Sequence, residues 1–316
     1  MMLSSRGLVA ALSCLLLVLV SLPASAANIA WVSFHATDAA SAAAAGIGFT
    51  DAPDKGYTDL LTANGHSVTR FLSHDSPTPA DLATLNAADL VIIGRSVNSG
   101  HYQQADEALF WNTTLTKPVI NMGGYGLRNS RLGLYTGGTI PDTGTVADGP
   151  GQAVRLTVND PSHPIFAGVP LDGTDTMVNL YADVASLPFA PNTPQRGISV
   201  VTDPIVAGGQ VLATIGTAGD RAFGGATIAY FPPGTLTAAT PPTPLGGHRL
   251  IFLSGSREHH SSQGATTSEI AGIFDLQPDG VSMFLNAVDF MLVVPEPSTV
   301  TMLLLAVAGF GMMRKR

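Results

Sequence analysis

The chain has 316 residues, 15 basic and 23 acidic for a net charge of −8, with 34 glycines, 22 prolines and a single cysteine. An acidic chain with no basic cluster in its body lacks the footprint that nucleic-acid phosphates require, so a nucleic-acid partner is excluded. The one cysteine, Cys14, lies in an N-terminal segment that reads as removable, and disulfides and thiol catalysis are excluded for the rest.

Residues 1–26 read as a secretory signal peptide. Arg6 gives the early positive charge, Leu8–Leu22 is apolar, and Ala24-Ser25-Ala26 places small residues at the cleavage positions. Signal peptidase is the implied partner, and the mature chain is expected to begin at Ala27.

Asn28–His35 reads as an apolar strand, followed by an Ala- and Gly-rich loop over Asp38–Asp54. Tyr57, Leu60 and Leu61 recur at helical spacing, and Asn64-Gly65 supplies a C-cap. Ser67–Leu72 is a second strand. Pro79–Leu85 is a short helix expected to turn Ala80, Leu82 and Ala83 inward. Asp89–Gly94, DLVIIG, is the clearest strand, its unbroken apolar run suiting a parallel strand covered on both faces. Gln104–Trp111 is an amphipathic helix, and Lys117–Met122 a further strand running into Gly123, Gly124 and Gly126. Trp31 and Trp111 are assigned to the core, and His66 and His74 to surface turns. Strands alternating with helices in units of about 30 residues predict an α/β fold with a parallel sheet flanked by helices.

After Tyr135 the composition shifts towards Gly, Thr, Pro and Asp. Residues 136–247 read as a β-rich insertion on the same core, with strands at Ala153–Val158, Gly209–Ile215 and Ala226–Tyr230. Pro232–Gly247 is expected to be a mobile loop. His248–Ser254 returns to a buried strand, and Val281–Leu292 closes the body as a helix. Residues 27–294 thus form one domain with room for a full core.

The C-terminal end has three parts: Pro295-Glu296-Pro297, the apolar segment Val300–Met313, and Arg314-Lys315-Arg316. The apolar segment is shorter than the roughly 20 residues that span a bilayer comfortably, and the basic end would stay cytoplasmic. In motif, order and position this tail resembles the PEP-CTERM sorting signal. The resemblance implies a short transmembrane helix, cleavage near the motif by exosortase, only transient membrane attachment, and export through the inner membrane to the cell surface or medium.

A second resemblance concerns the body. Arg249-Leu250-Ile251-Phe252 leading to Gly255 and His259, Asn286-Ala287-Val288 in the last helix, and Ser162–Gly168 with its HPI turn are similar to the class I glutamine-amidotransferase-like fold, in its ThuA-like branch. This implies a flavodoxin-like or amidotransferase-like sheet. The elbow position that carries a catalytic Cys in that family corresponds to Gly124, so glutaminase chemistry is not carried over.

The C-terminal ends of parallel strands converge on one crevice. That edge collects the ligand-binding candidates His35, Arg95, Ser96, Asn121, Gly123, Gly124, Tyr125, Arg257, Glu258 and His259. Ser96, His259 and Glu258 contain the residue types of a nucleophile–base pair, although a cap serine is the plainer reading of Ser96. His35, His101, Glu258, His259 and His260 offer metal-type ligands. Adjacent histidines in an extended loop point opposite ways, so no metal is assigned and no cofactor is implied. Three functions remain open: a surface protein binding carbohydrate such as extracellular polysaccharide, a sugar or polysaccharide hydrolase using His35, Arg257, Glu258 and His259, and a structural matrix component.

Overall fold

The computed structural model describes residues 26–46, 48–143, 154–171, 198–255 and 267–294. The signal-peptide run, the PEP tail with its apolar segment, and Arg257, Glu258, His259 and His260 lie outside these residues. No helix among the described residues is long and apolar enough to cross a membrane.

An eight-stranded sheet organises the chain, in the order β2-β1-β3-β4-β10-β9-β8-β6. Its parallel part comprises β1 (Asn28–Ser33), β2 (Ser67–Leu72), β3 (Leu90–Ile93), β4 (Val119–Asn121) and β10 (Arg249–Phe252). All four residues of β3 and of β10 are buried, as central strands covered on both faces require. Beyond β10 the direction reverses. β9 (Ala226–Phe231), β8 (Gln210–Ile215) and β6 (Leu156–Val158) pair antiparallel. The fold is therefore α/β with a mixed sheet, not a purely parallel one. A separate two-stranded ladder joins β5 (Asp142–Thr143) to β7 (Ile198–Ser199) inside the stretch read as loop and insertion.

Side chains alternate between the two faces. On one face lie α2 (Lys55–Ala63) and α5 (Pro278–Val293). Tyr57 of α2 stacks on Trp31 of β1 at 5.8 Å, and Phe284 of α5 meets Tyr57 at 5.7 Å and Phe252 of β10 at 5.5 Å. On the other face, α4 (Ala105–Leu109) continues into one π-helical turn, Phe110–Thr114. Arg249 holds that turn. Its fully buried guanidinium donates to the carbonyls of Lys117, His248, Trp111, Asn112 and Leu115 at 2.7–3.1 Å. The carbonyls at a helix C-terminus attract a cation, while burial pushes the Arg249 pKa down to about 9.

Several local expectations change. A short helix, α1 (Ala42–Gly46), lies within the Ala- and Gly-rich segment. In α3 (Pro79–Asn86) a capping box fixes the start, with the Thr78 hydroxyl accepting from Asp81 N and the Asp81 carboxylate accepting from Thr78 N. That start rotates Leu85 into the core and leaves Ala80 and Ala83 exposed. His66 is buried, and its Nδ1 accepts from the backbone of Ala27 at 3.4 Å. The Pro- and Thr-rich loop after β9 is held in place. Asn112 donates to Thr243 Oγ1 at 2.9 Å, and the Thr113 hydroxyl donates to the Pro244 carbonyl at 2.6 Å.

Candidate ligand-binding site

Because β1, β3, β4 and β10 run parallel, their C-terminal ends emerge on one edge, and backbone hydrogen bonds join the exits. Phe34 N donates to Ser96 O at 2.6 Å, Met122 N to Ile93 O at 3.0 Å, and Ser254 N to Met122 O at 3.3 Å. Arg95, Ser96, Asn121, Gly123, Gly124 and Tyr125 are brought together there, with Ser254 and Gly255 beside them. A Cβ on Gly123 would lie 3.3 Å from Arg95 Cδ, and one on Gly255 3.1 Å from Arg95 Cβ, so the arginine stem runs between two glycines.

Residues 267–276 cross above this edge as a strap. The Glu269 carbonyl accepts from His35 Nε2 at 2.8 Å. Gly272, at φ +87, packs where a Cβ would meet Ser96 N at 3.2 Å and Asp54 Cβ at 3.5 Å. Asp275 Oδ1 accepts from the Tyr57 hydroxyl at 2.8 Å, the Ser254 hydroxyl at 3.2 Å and Gly255 N at 3.0 Å. Burial raises the Asp275 pKa to about 7 against the opposing effect of these donors.

Under the strap His35 is 2% exposed. A carbonyl partner requires the Nε2–H tautomer, which leaves Nδ1 as a buried acceptor with no partner among the described residues. Asn121 Oδ1 is likewise buried and without a partner among the described residues. Arg95 is buried too, its guanidinium carbon 5.6 Å from the centre of the Tyr125 ring. Ser96 is fully buried, and its expected partner His259 lies outside the described residues.

The elbow differs from a nucleophile turn. Gly123 has an ordinary extended φ of −113, and Gly124 opens a 3-10 turn, Gly124–Leu127. A Cβ on Gly124 would collide with the carbonyl oxygen of Ser199. Position 124 is a close backbone crossing with no space for a side chain.

His101 stacks on Phe34 at 6.1 Å, with Nδ1 3.0 Å from the Ser73 hydroxyl and Nε2 3.8 Å from Asp75. Burial lowers its pKa against the nearby acids. Among the described residues no group of three His, Cys, Asp or Glu side chains is placed to hold a metal. A cavity of about 320 Å³ lies elsewhere, between β1, β2 and the end of α3, lined by Ile29, Ala30, Phe71 and Ala88.

Sequence reasoning misses the buried acids beneath the strand ends. Asp54 is fully buried, accepts from Trp31 Nε1 at 2.8 Å and Ser33 Oγ at 2.6 Å, and pairs with Arg70 at 2.9 Å. Arg70 also reaches Asp38 at 2.7 Å. The available signal is an acid just before a helix, which normally reads as a cap; the Asp54 side chain makes no cap hydrogen bond.

Residues 293–316 match the PEP-CTERM protein-sorting motif. No family match supports the amidotransferase-like resemblance of the body. A search of curated proteins finds no match. The motif implies export, processing by exosortase and sorting to the cell surface.

Proposed function

We propose that this chain is a surface-displayed binding protein. Its α/β body is delivered by the N-terminal signal peptide and released by exosortase, and it presents the C-terminal edge of its parallel strands to a ligand, with extracellular polysaccharide as the favoured class. The sorting motif at 293–316 carries the reading. Buried polar groups at the strand ends, His35 Nδ1 and Asn121 Oδ1, support a binding role for that edge. The crowded Gly124 supports binding over amidotransferase-type covalent catalysis, since such catalysis requires a side chain at the elbow.

Intact-mass analysis of the surface fraction, from cells with and without exosortase, tests the processing. The expected species starts at Ala27 and lacks most of Pro295–Arg316 only when exosortase is present. A surface protein that keeps the full basic tail in exosortase-positive cells would overturn the proposal.

A further inference from the structure

We infer that Arg128 and Arg131, beside the ring of Tyr125, form a site for a small oxyanion: the carboxylate of an acidic sugar or a phosphate. The inference rests on the reading of the strand-end edge as the binding face, and it names the chemistry recognised there.

The site is built by the chain leaving β4. After the 3-10 turn Gly124–Leu127, a second turn is closed by Arg131 N and Gly133 N, each donating to Arg128 O at 2.9 Å. Gly133 makes this turn possible. Its φ is +67, and a Cβ would collide with the backbone of Ala239. The guanidinium carbon of Arg128 lies 5.1 Å from the centre of the Tyr125 ring, and that of Arg95 lies 5.6 Å from it. One aromatic ring thus gathers two guanidinium groups, and a third cation follows three residues on.

The donors of Arg128 and Arg131 are only partly used within the protein. Arg128 Nε donates to the Tyr125 carbonyl at 3.0 Å, and Arg131 Nη1 to the Ser130 carbonyl at 2.7 Å, with a longer contact of 3.4 Å to the Ser130 hydroxyl. Arg131 Nε is buried with no hydrogen-bond partner among the described residues. No carboxylate among the described residues forms an ion pair with Arg128 or Arg131. The acid that acts on Arg131 is Glu107. Both Glu107 oxygens are already occupied, Oε1 by Ser76 N at 3.2 Å and Oε2 by Gln103 N at 3.0 Å and Gln104 N at 2.8 Å.

Burial and the charge of Arg128 both push the Arg131 pKa down. Half-buried like charges with no ion-paired carboxylate among the described residues are unfavourable unless something anionic joins them. In a chain of net charge −8 this local excess of cations also runs against the overall balance. A guanidinium fork presents paired donors that match carboxylate or phosphate oxygens.

The test titrates the full chain, purified in detergent at low salt, with oligogalacturonate and separately with inorganic phosphate, using a neutral maltooligosaccharide as control. At least one anionic probe is expected to bind and to weaken as salt is added, while the neutral sugar does not bind. Oligogalacturonate binding identifies an acidic glycan source, and binding of phosphate alone identifies a free phosphate source. The double variant R128Q/R131Q should lose tenfold or more in affinity, and R128K/R131K, which keeps the charge without the fork, should fall between. Circular dichroism confirms that the variants tested are folded. Absence of binding by both anions, equal binding of the neutral sugar, or unchanged affinity in folded R128Q/R131Q would overturn the inference. Normal tail removal in the same preparation would leave the proposed sorting standing while this site falls.

Discussion

The Tyr57 hydroxyl donates a 2.8 Å hydrogen bond to Asp275, tying helix α2 to the strap over the strand ends. The Ser254 hydroxyl and Gly255 N converge on the same carboxylate oxygen, so the acid joins α2, the exit of β10 and the strap.

This link predicts a pH dependence. The folded-state pKa of Asp275 is raised from 3.8 to about 7, so the folded chain keeps a proton that the unfolded chain releases. The stabilisation is fully present below the ordinary Asp value and is lost as pH rises through about 7, at up to about 1.4 kcal/mol per pH unit between the two. Asp275→Asn, which accepts from Tyr57 at any pH, should flatten that slope. Urea melts at pH 4.5 and 7.5 check this, and an unchanged difference between the two pH values in the variant would contradict it.

Asp54→Ala should be more damaging than a typical core change. It would strip Arg70, Trp31 and Ser33 of a shared acceptor in a fully buried position. Breaking a buried pair by removing one partner costs about 3–5 kcal/mol. A guanidinium-chloride midpoint close to that of the unmodified protein would contradict this account.

Arg249→Leu should destabilise by about 2–4 kcal/mol, because several helix-end carbonyls would lose a charged donor inside the core. Arg249→Lys should recover only part of this loss, since an ammonium cannot span acceptors on Trp111, Leu115 and Lys117 at once. Equal stability of the Leu and Lys variants, measured by thermal melting, would show that charge and fork are both irrelevant there.

Gly124→Cys should lower stability by about 1–3 kcal/mol through overpacking against Ser199, and should release no ammonia from glutamine. A stable variant, or ammonia above a heat-killed control, would show that the crossing is looser than its geometry implies.

The parallel half of the sheet was legible because its strands are short apolar runs with helical stretches between them. LVII in β3 and RLIF in β10 carry that signal within four residues each. The reversal at β9 was not legible, because an apolar strand such as ATIAYF reads the same in either direction. At the site, glycine spacing and strand ends pointed to Arg95, Asn121 and Tyr125. Asp54 and Asp275 escaped because their partners lie beyond the local pattern, 16 to 23 residues away for Asp54 and 218 for Tyr57 and Asp275. The loop after β9 looked free for the same reason: the amide that pins Thr243 arrives from Asn112, 131 residues earlier.

Helix α5 keeps its winding to Val293, and the matched sorting segment begins at residue 293. Its last turns are clamped. Asn286 donates to the Ile165 and Ala167 carbonyls, and Phe290 meets His163 at 4.6 Å and Tyr230 at 5.4 Å. From Phe290 to the helix end is about 5 Å at 1.5 Å per residue. A cut directly after Val294 would leave a protease that takes its substrate as an open peptide almost no slack on this side. Either the finished body is drawn down against the bilayer to be cut, or the cut comes before that final turn has wound. A cut at that place would make release from the membrane and completion of the fold contend for the same few residues.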